Sequence, residues 1–190
     1  MRKHGVTIVA ALLVSGLLVM PTAATTSSAE AVDAEEVFTV ARVTAKYLDE
    51  AKAPQDGFRR TNVCVSRPPQ AGGGAMGYHY TNQARFDREL NIAEPETVIY
   101  GPRRSSTGAT RKLVAVEYFL VDEDQDLSTN EHPVLLGQPM DGPMPGHPEP
   151  DHPTNPNWMP IHYELHVWMW LANPWGPFNG WNPNVVCPAA

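Results

Sequence analysis

The sequence predicts an α+β fold: an N-terminal helix packed on a mainly antiparallel sheet that curls toward a barrel and carries a long proline-rich loop. Three observations support this. Apolar residues recur at helical spacing between Val37 and Ala51. Stretches 97–100, 113–121 and 161–171 are rich in β-branched and aromatic residues. Nine prolines fall between Pro133 and Pro160, a density that no regular element is expected to survive.

The N-terminus reads as a leader outside the fold. Arg2, Lys3 and His4 precede an apolar run from Val6 to Met20, and Pro21 and small residues follow, which is the layout of a secretory signal peptide. The run is ~15 residues, short of the ~20 that a helix needs to cross a bilayer. Ala29-Glu30-Ala31 places small residues where a signal peptidase reads, with Thr22-Ala23-Ala24 as an earlier alternative. Residues 1–31 are thus expected to be a signal peptide. Residues 32–190 then form a single secreted or extracytoplasmic domain with no stable membrane anchor after cleavage. No cysteine lies near either cleavage site, which argues against lipid attachment.

The formal net charge is −7, from 14 basic and 21 acidic side chains, and losing Arg2, Lys3 and Glu30 takes it to −8. That balance argues against nucleic acid and anionic membrane surfaces as partners. An exported chain meets an oxidising compartment, so Cys64 and Cys187, the only two cysteines, are expected to pair. On the chain-entropy argument, closing a loop of ~120 residues contributes roughly 4–5 kcal/mol, comparable to the net stability of a whole domain.

In chain order, Asp33-Ala-Glu-Glu36 has the spacing of a capping box, and the helix it opens should run until Pro54 and Gly57. Pro68, Pro69 and Gly72 to Gly74 make a connection into a short strand at Gly77-Tyr-His-Tyr80. The glycines lack the Gly-Lys-Ser/Thr ending and βαβ frame of phosphate-binding loops. Residues 97–100 and 113–121 read as a hairpin with a long loop at 101–112. Glu117 is the one carboxylate set into an otherwise apolar central strand. Asp122 to Asp126 holds four carboxylates in five residues; it lacks the ligand series of an EF-hand and reads as a solvated turn. The proline-rich segment, with His132, His147 and His152 around it, reads as a functional cover or an excursion.

Ile161-His-Tyr-Glu-Leu-His-Val-Trp-Met-Trp-Leu171 is the most informative stretch. With a period of two, its odd-numbered residues form an apolar face, while His162, Glu164, His166, Trp168 and Trp170 share the other. Imidazole and carboxylate ligate zinc, iron, manganese and copper. On a strand, His162 and His166 have Cα atoms ~13 Å apart, too far to share an ion without a bend. A site for a divalent transition metal would therefore use His79, Glu117, Glu164 and His166, with His162 as a supporting or acid–base group. The competing reading makes these hydrogen-bonded or half-exposed polar residues. Met140, Met144, Met159 and His147 offer a further, softer set suited to copper.

All five tryptophans, Trp158, Trp168, Trp170, Trp175 and Trp181, lie near one another in sequence. They suit a dense core, a stacking platform for a small-molecule ligand, or a contact with another subunit. No Gly-x-Ser-x-Gly elbow marks a hydrolase, and the cysteines enclose too much chain for an immunoglobulin-type disulfide.

Gly77-Tyr-His-Tyr80, Val116-Glu-Tyr-Phe119, Gly142-Pro-Met-Pro-Gly-His147, His162-Tyr-Glu-Leu-His-Val-Trp168 and Trp181-Asn-Pro-Asn184 before Cys187 resemble a family of small secreted bacterial proteins of unassigned function. The resemblance spans about Cys64 to Cys187 and implies export and this domain layout, with no activity to carry over. The leading expectation is an exported metal-binding domain, with a metal-dependent enzyme as its extension. The alternatives are a non-catalytic ligand-binding or assembly module with a tryptophan-rich surface, and an acid–base enzyme acting on an apolar substrate in a barrel.

Overall fold

The computed structural model describes residues 34–102, 111–148 and 158–189. The expected signal peptide, the expected cap at Asp33, most of the loop after Pro102 and the part of the proline-rich segment that holds His152 lie outside the described residues.

Helix α1 spans Ala34–Thr44, with Glu35 and Glu36 in its first turn, where carboxylates complement the helix dipole. Val40 and Thr44 are buried, as the apolar stripe requires. The helix does not continue to Pro54. It tightens into a 3₁₀ turn over Ala45–Leu48, and a short α2 follows over Lys52–Gln55 with Pro54 inside it. The break has a tertiary cause. Tyr47 turns into the core, and its carbonyl accepts the Tyr100 hydroxyl at 2.8 Å, while Leu48 is left 52% exposed.

Strands β1 (Cys64–Ser66), β2 (Ala75–Thr81), β3 (Thr97–Pro102), β4 (Arg111–Val121), β7 (Asp141–Met144) and β8 (His162–Val167) form one sheet in the order β1-β2-β3-β4-β8-β7. Every neighbouring pair is antiparallel, and the sheet curls into a half-barrel. The expected hairpin of β3 and β4 is present, with β4 at the sheet's centre.

The period of two sorts the side chains onto two faces. Tyr78 and Tyr80, Val98 and Tyr100, Val116 and Tyr118, and Tyr163, Leu165 and Val167 enter one core together with Val40, Tyr47 and Phe58 from the helical segment. The alternate residues fall on the opposite face, so His79, Thr97, Glu117 and His166 share it. Register fixes their order: Thr81 opposes Thr97, Thr97 opposes Glu117, and Glu117 opposes His166. Gly77 is required on this face. Its φ is +114°, and a Cβ there would lie 2.6 Å from the Tyr100 carbonyl oxygen.

The structure corrects two further expectations. The proline-rich segment is regular in its first half. β5 (Val134–Leu135) and β6 (Gln138–Pro139) make a small hairpin, and β7 pairs with β8. Pro143 is tolerated because β7 is an edge strand and needs no donor on its outer side. The histidine strand is also shorter than expected, because the chain leaves regular pairing after Val167, where the Trp168 N–H turns to the Pro177 carbonyl. Alternation ends there. Trp168 joins a second cluster with Ile99, Ala115 and Val185, whereas Trp170 packs on the main core and donates its indole N–H to Thr44.

Cys64 and Cys187 form the expected disulfide, 123 residues apart in sequence. Close to it, Asn182 and Ala75 exchange two backbone hydrogen bonds, so the C-terminal segment is tied to β2 as well. Among the described residues no helix is long and apolar enough to cross a membrane. Replacing both cysteines by serine should cost roughly 4–5 kcal/mol, a fall of about 10–20 °C in the melting midpoint. A thermal melt in which the double variant matches the parent chain would contradict this.

Candidate metal centre

The face opposite the main core gathers ionisable side chains in the middle of the sheet. Glu117 and His166 face one another across the β4–β8 ladder, and His79 reaches them from β2. One ligand atom from each of His79, Glu117 and His166 lies within 4.8 Å of the other two. Glu117 Oε2 is 3.8 Å from His79 Nε2, and Glu117 Oε1 is 3.6 Å from His166 Nε2. These separations exceed hydrogen-bond length, so the groups converge without satisfying one another.

Glu164 lies outside that group of three. It stands between two imidazoles of its own strand, with Oε1 3.8 Å from His166 Nδ1 and Oε2 3.8 Å from His162 Nε2. The strand geometry thus keeps His162 and His166 apart while one carboxylate addresses both. His162 is fully buried, stacked on Phe119 at 4.4 Å, and its Nδ1 is 2.8 Å from the Pro160 carbonyl oxygen. A carbonyl only accepts, so Nδ1 carries a proton, and Nε2 is the nitrogen turned toward Glu164.

Burial dominates the electrostatics. It pushes His79 down to about 3, aided by the neighbouring His166, and lowers His166 against the opposing pull of Glu164 and Asp141. Glu117 is raised well above the ordinary carboxylate range, first by burial and then by the charge of Glu164. Glu164 is lowered: burial opposes its ionisation, but His162 and His166 outweigh that cost. Burial therefore favours the neutral form of His79, His166 and Glu117, while Glu164 is the member of the cluster whose ionised form is favoured. Among the described residues, His79 Nδ1, His162 Nε2 and both ring nitrogens of His166 are buried without a hydrogen-bond partner. Leaving such atoms unpaired costs ~1–3 kcal/mol each, which sets this face apart from ordinary packing.

A cavity of about 340 Å³ opens beside the cluster. His79, Glu117 and Glu164 contribute its polar lining, and Val63, Val65, Met76, Trp158, Met159 and Trp181 its apolar lining. His147 and Arg59, both exposed, also line it. The tryptophans do not make one platform. Trp158 and Trp181 face the cavity, Trp168 and Trp170 are packed on opposite sides of the sheet, and Trp175 is 43% exposed beside Arg67. The soft copper set is divided as well, since Met140 is buried in the main core while Met159 packs with Phe119 on the other face.

Val63, Val65, Met76 and Arg59 were not singled out from the sequence. They come from β1, β2 and the segment before them, and only the curl of the sheet brings that edge over β4 and β8. The polar alternation of β2, with Gly77, His79 and Thr81 against Tyr78 and Tyr80, was the available signal. No protein-family model, curated protein or solved structure matches the chain.

Glu96, at the entry to β3, is a second buried carboxyl near this network. Its Oε2 accepts the Phe119 N–H at 2.9 Å, it is 3% exposed, and burial pushes it from 4.5 up to about 8. The folded state therefore keeps a proton that the unfolded chain releases. Stability from this group is complete below about pH 4.5 and is lost as pH rises toward 8. Glu96→Gln, neutral throughout and able to accept the same hydrogen bond, should flatten the decline in melting midpoint between pH 5 and 8. Parallel curves for parent and variant would contradict the assignment.

Proposed function

We propose that this chain is an exported metal-binding domain whose centre, formed by His79, Glu117 and His166, holds one divalent transition metal at the floor of an apolar cavity. The observation that carries this reading is the approach of His79 Nε2 and His166 Nε2 to the buried Glu117 carboxyl at 3.8 and 3.6 Å, with His166 Nε2 buried and without a hydrogen-bond partner. Two nitrogens and one oxygen on three separate strands are the donor set of catalytic rather than closed structural zinc sites, in which a fourth position is left for water or substrate. Burial favours the neutral, ligating form of His79 and His166, and a cation at the centre would offset the burial and the Glu164 charge that favour protonation of Glu117.

Glu164 then works from the far side of His166. Its carboxylate, 3.8 Å from His166 Nδ1, favours the tautomer with the proton on that nitrogen and raises the ring's basicity, and His162 lies on its other side, also at 3.8 Å. A metal-dependent enzyme follows if a substrate enters the cavity. The metal would polarise a bound water or carbonyl, and the Glu164–His162 pair would carry the proton. Export is part of the proposal. It rests on the leader-like N-terminus and agrees with the Cys64–Cys187 disulfide.

Elemental analysis of the chain purified without a histidine tag tests the centre. About one equivalent of zinc, manganese, iron or copper is expected. His79→Ala or His166→Ala should abolish retention, and Glu164→Gln or His162→Ala should weaken affinity ~10–100-fold. Absence of metal, together with no thermal shift on adding any of the four ions, would overturn the reading.

The placement of Trp158 and Trp181 in the cavity lining favours a second reading, a non-catalytic module that binds an apolar small molecule. Apolar ligands that quench indole fluorescence equally with and without metal would support it over the enzyme.

A further inference from the structure

A second cluster lies at the end of β4, just beyond the Val121–His162 pair. Carboxylate oxygens of Asp122, Asp124 and Glu131 lie within 4.8 Å of one another. Asp124 and Glu131 are exposed, but Asp122 is only 1% exposed, and its Oδ1 is buried without a hydrogen-bond partner. The loop is bound to the sheet at both ends. The Asp122 N–H donates to the Ile161 carbonyl at 2.9 Å, the Gln125 side chain bonds the backbone of Ile161 twice, at 2.8 and 3.0 Å, and the Tyr163 hydroxyl donates to Glu131. Like charges are thus held together by a fixed frame, where solvation of the innermost one has been removed.

We infer that Asp122, Asp124 and Glu131 form a calcium site. The donors are all oxygen, the preference of a hard cation, whereas a transition metal is better served by the imidazoles of the proposed centre. A divalent cation neutralises the converging carboxylates and supplies the partner that Asp122 Oδ1 lacks. The exposed side chains leave room for water to complete the six to eight oxygens that calcium takes, and an irregular set of loop carboxylates suits it better than magnesium, which demands a near-ideal octahedron. This is no EF-hand, since the twelfth position after Asp122 does not return a glutamate; the glutamate arrives earlier, at Glu131, positioned by Tyr163 from β8. The turn first read as merely solvated becomes a clasp between the ends of the two central strands.

The full chain, purified without a histidine tag and stripped with chelator, is titrated with calcium chloride and followed by its thermal midpoint. Terbium luminescence excited through Tyr163 provides a second signal. A saturable rise of roughly 5–10 °C at a hundredfold excess over the dissociation constant is expected. Magnesium should act at least ~10-fold more weakly. Asp124→Asn with Glu131→Gln, both at exposed positions, should remove the calcium response and the terbium signal, whereas His79→Ala with His166→Ala should leave both intact. That contrast separates this site from the transition-metal centre, either of which can fail alone. No calcium shift and no terbium signal in the parent chain would overturn the inference and leave a proton shared between Asp122 and Glu131 as the explanation of their proximity. A shift that persists in the Asp124/Glu131 variant would overturn it too, as general charge screening.

Discussion

The antiparallel pairing of β4 with β8 is the constraint from which the rest of the molecule follows. It lies deep enough in the sheet that both faces of each strand are covered, and its register places Glu117 opposite His166. On one side, Tyr118 and Leu165 face each other and anchor the main core. On the other side, the same ladder forces a carboxyl and an imidazole into an environment that favours neither charge. A slip of one residue would exchange these faces, sending three ionisable groups into the main core and Tyr163 and Leu165 into the cavity. The hydrophobic pattern therefore protects the polar site by making every other register much worse.

Burial at this site is unusual because it is not balanced by hydrogen bonds. Protein interiors seldom tolerate several unpaired ring nitrogens, and those here are concentrated on one face of the sheet. Tyr47, Tyr100 and Tyr118 show the ordinary solution within the same domain, each hydroxyl finding an acceptor at its end. The contrast separates polar groups that serve packing from those kept unpaired at a cost in stability.

The order in which these features were legible follows the range of the forces involved. The apolar run along 113–121 and the alternation along 161–167 are local, so the two central strands and the odd-numbered core face of the second were readable from spacing alone, as was Glu117 as a carboxylate out of place. Assembly of His79 with Glu117 and His166 depends on strand order, which residue spacing does not encode; His79 stood out only because it interrupts an aromatic strand. The break after Thr44 depends on a hydrogen bond from Tyr100, more than fifty residues away, and no helical periodicity could announce it. Composition misled at the prolines. Their number argued against any strand, yet Pro143 fits an edge position whose outer side needs no donor.

The bond between Cys64 and Cys187 gives the molecule a topology as well as a tether. Seen as a graph, the backbone from residue 64 to residue 187 is a closed ring, and the helical segment is a tail attached to it. His79, Glu117, His162, Glu164 and His166 all sit on the ring, as does the acidic loop after β4. A single peptide cut anywhere on that ring opens it without dividing it. Both candidate sites would keep all their residues on one covalent molecule, while a cut before Cys64 would release only packing elements and the edge of the cavity that carries Arg59 and Val63.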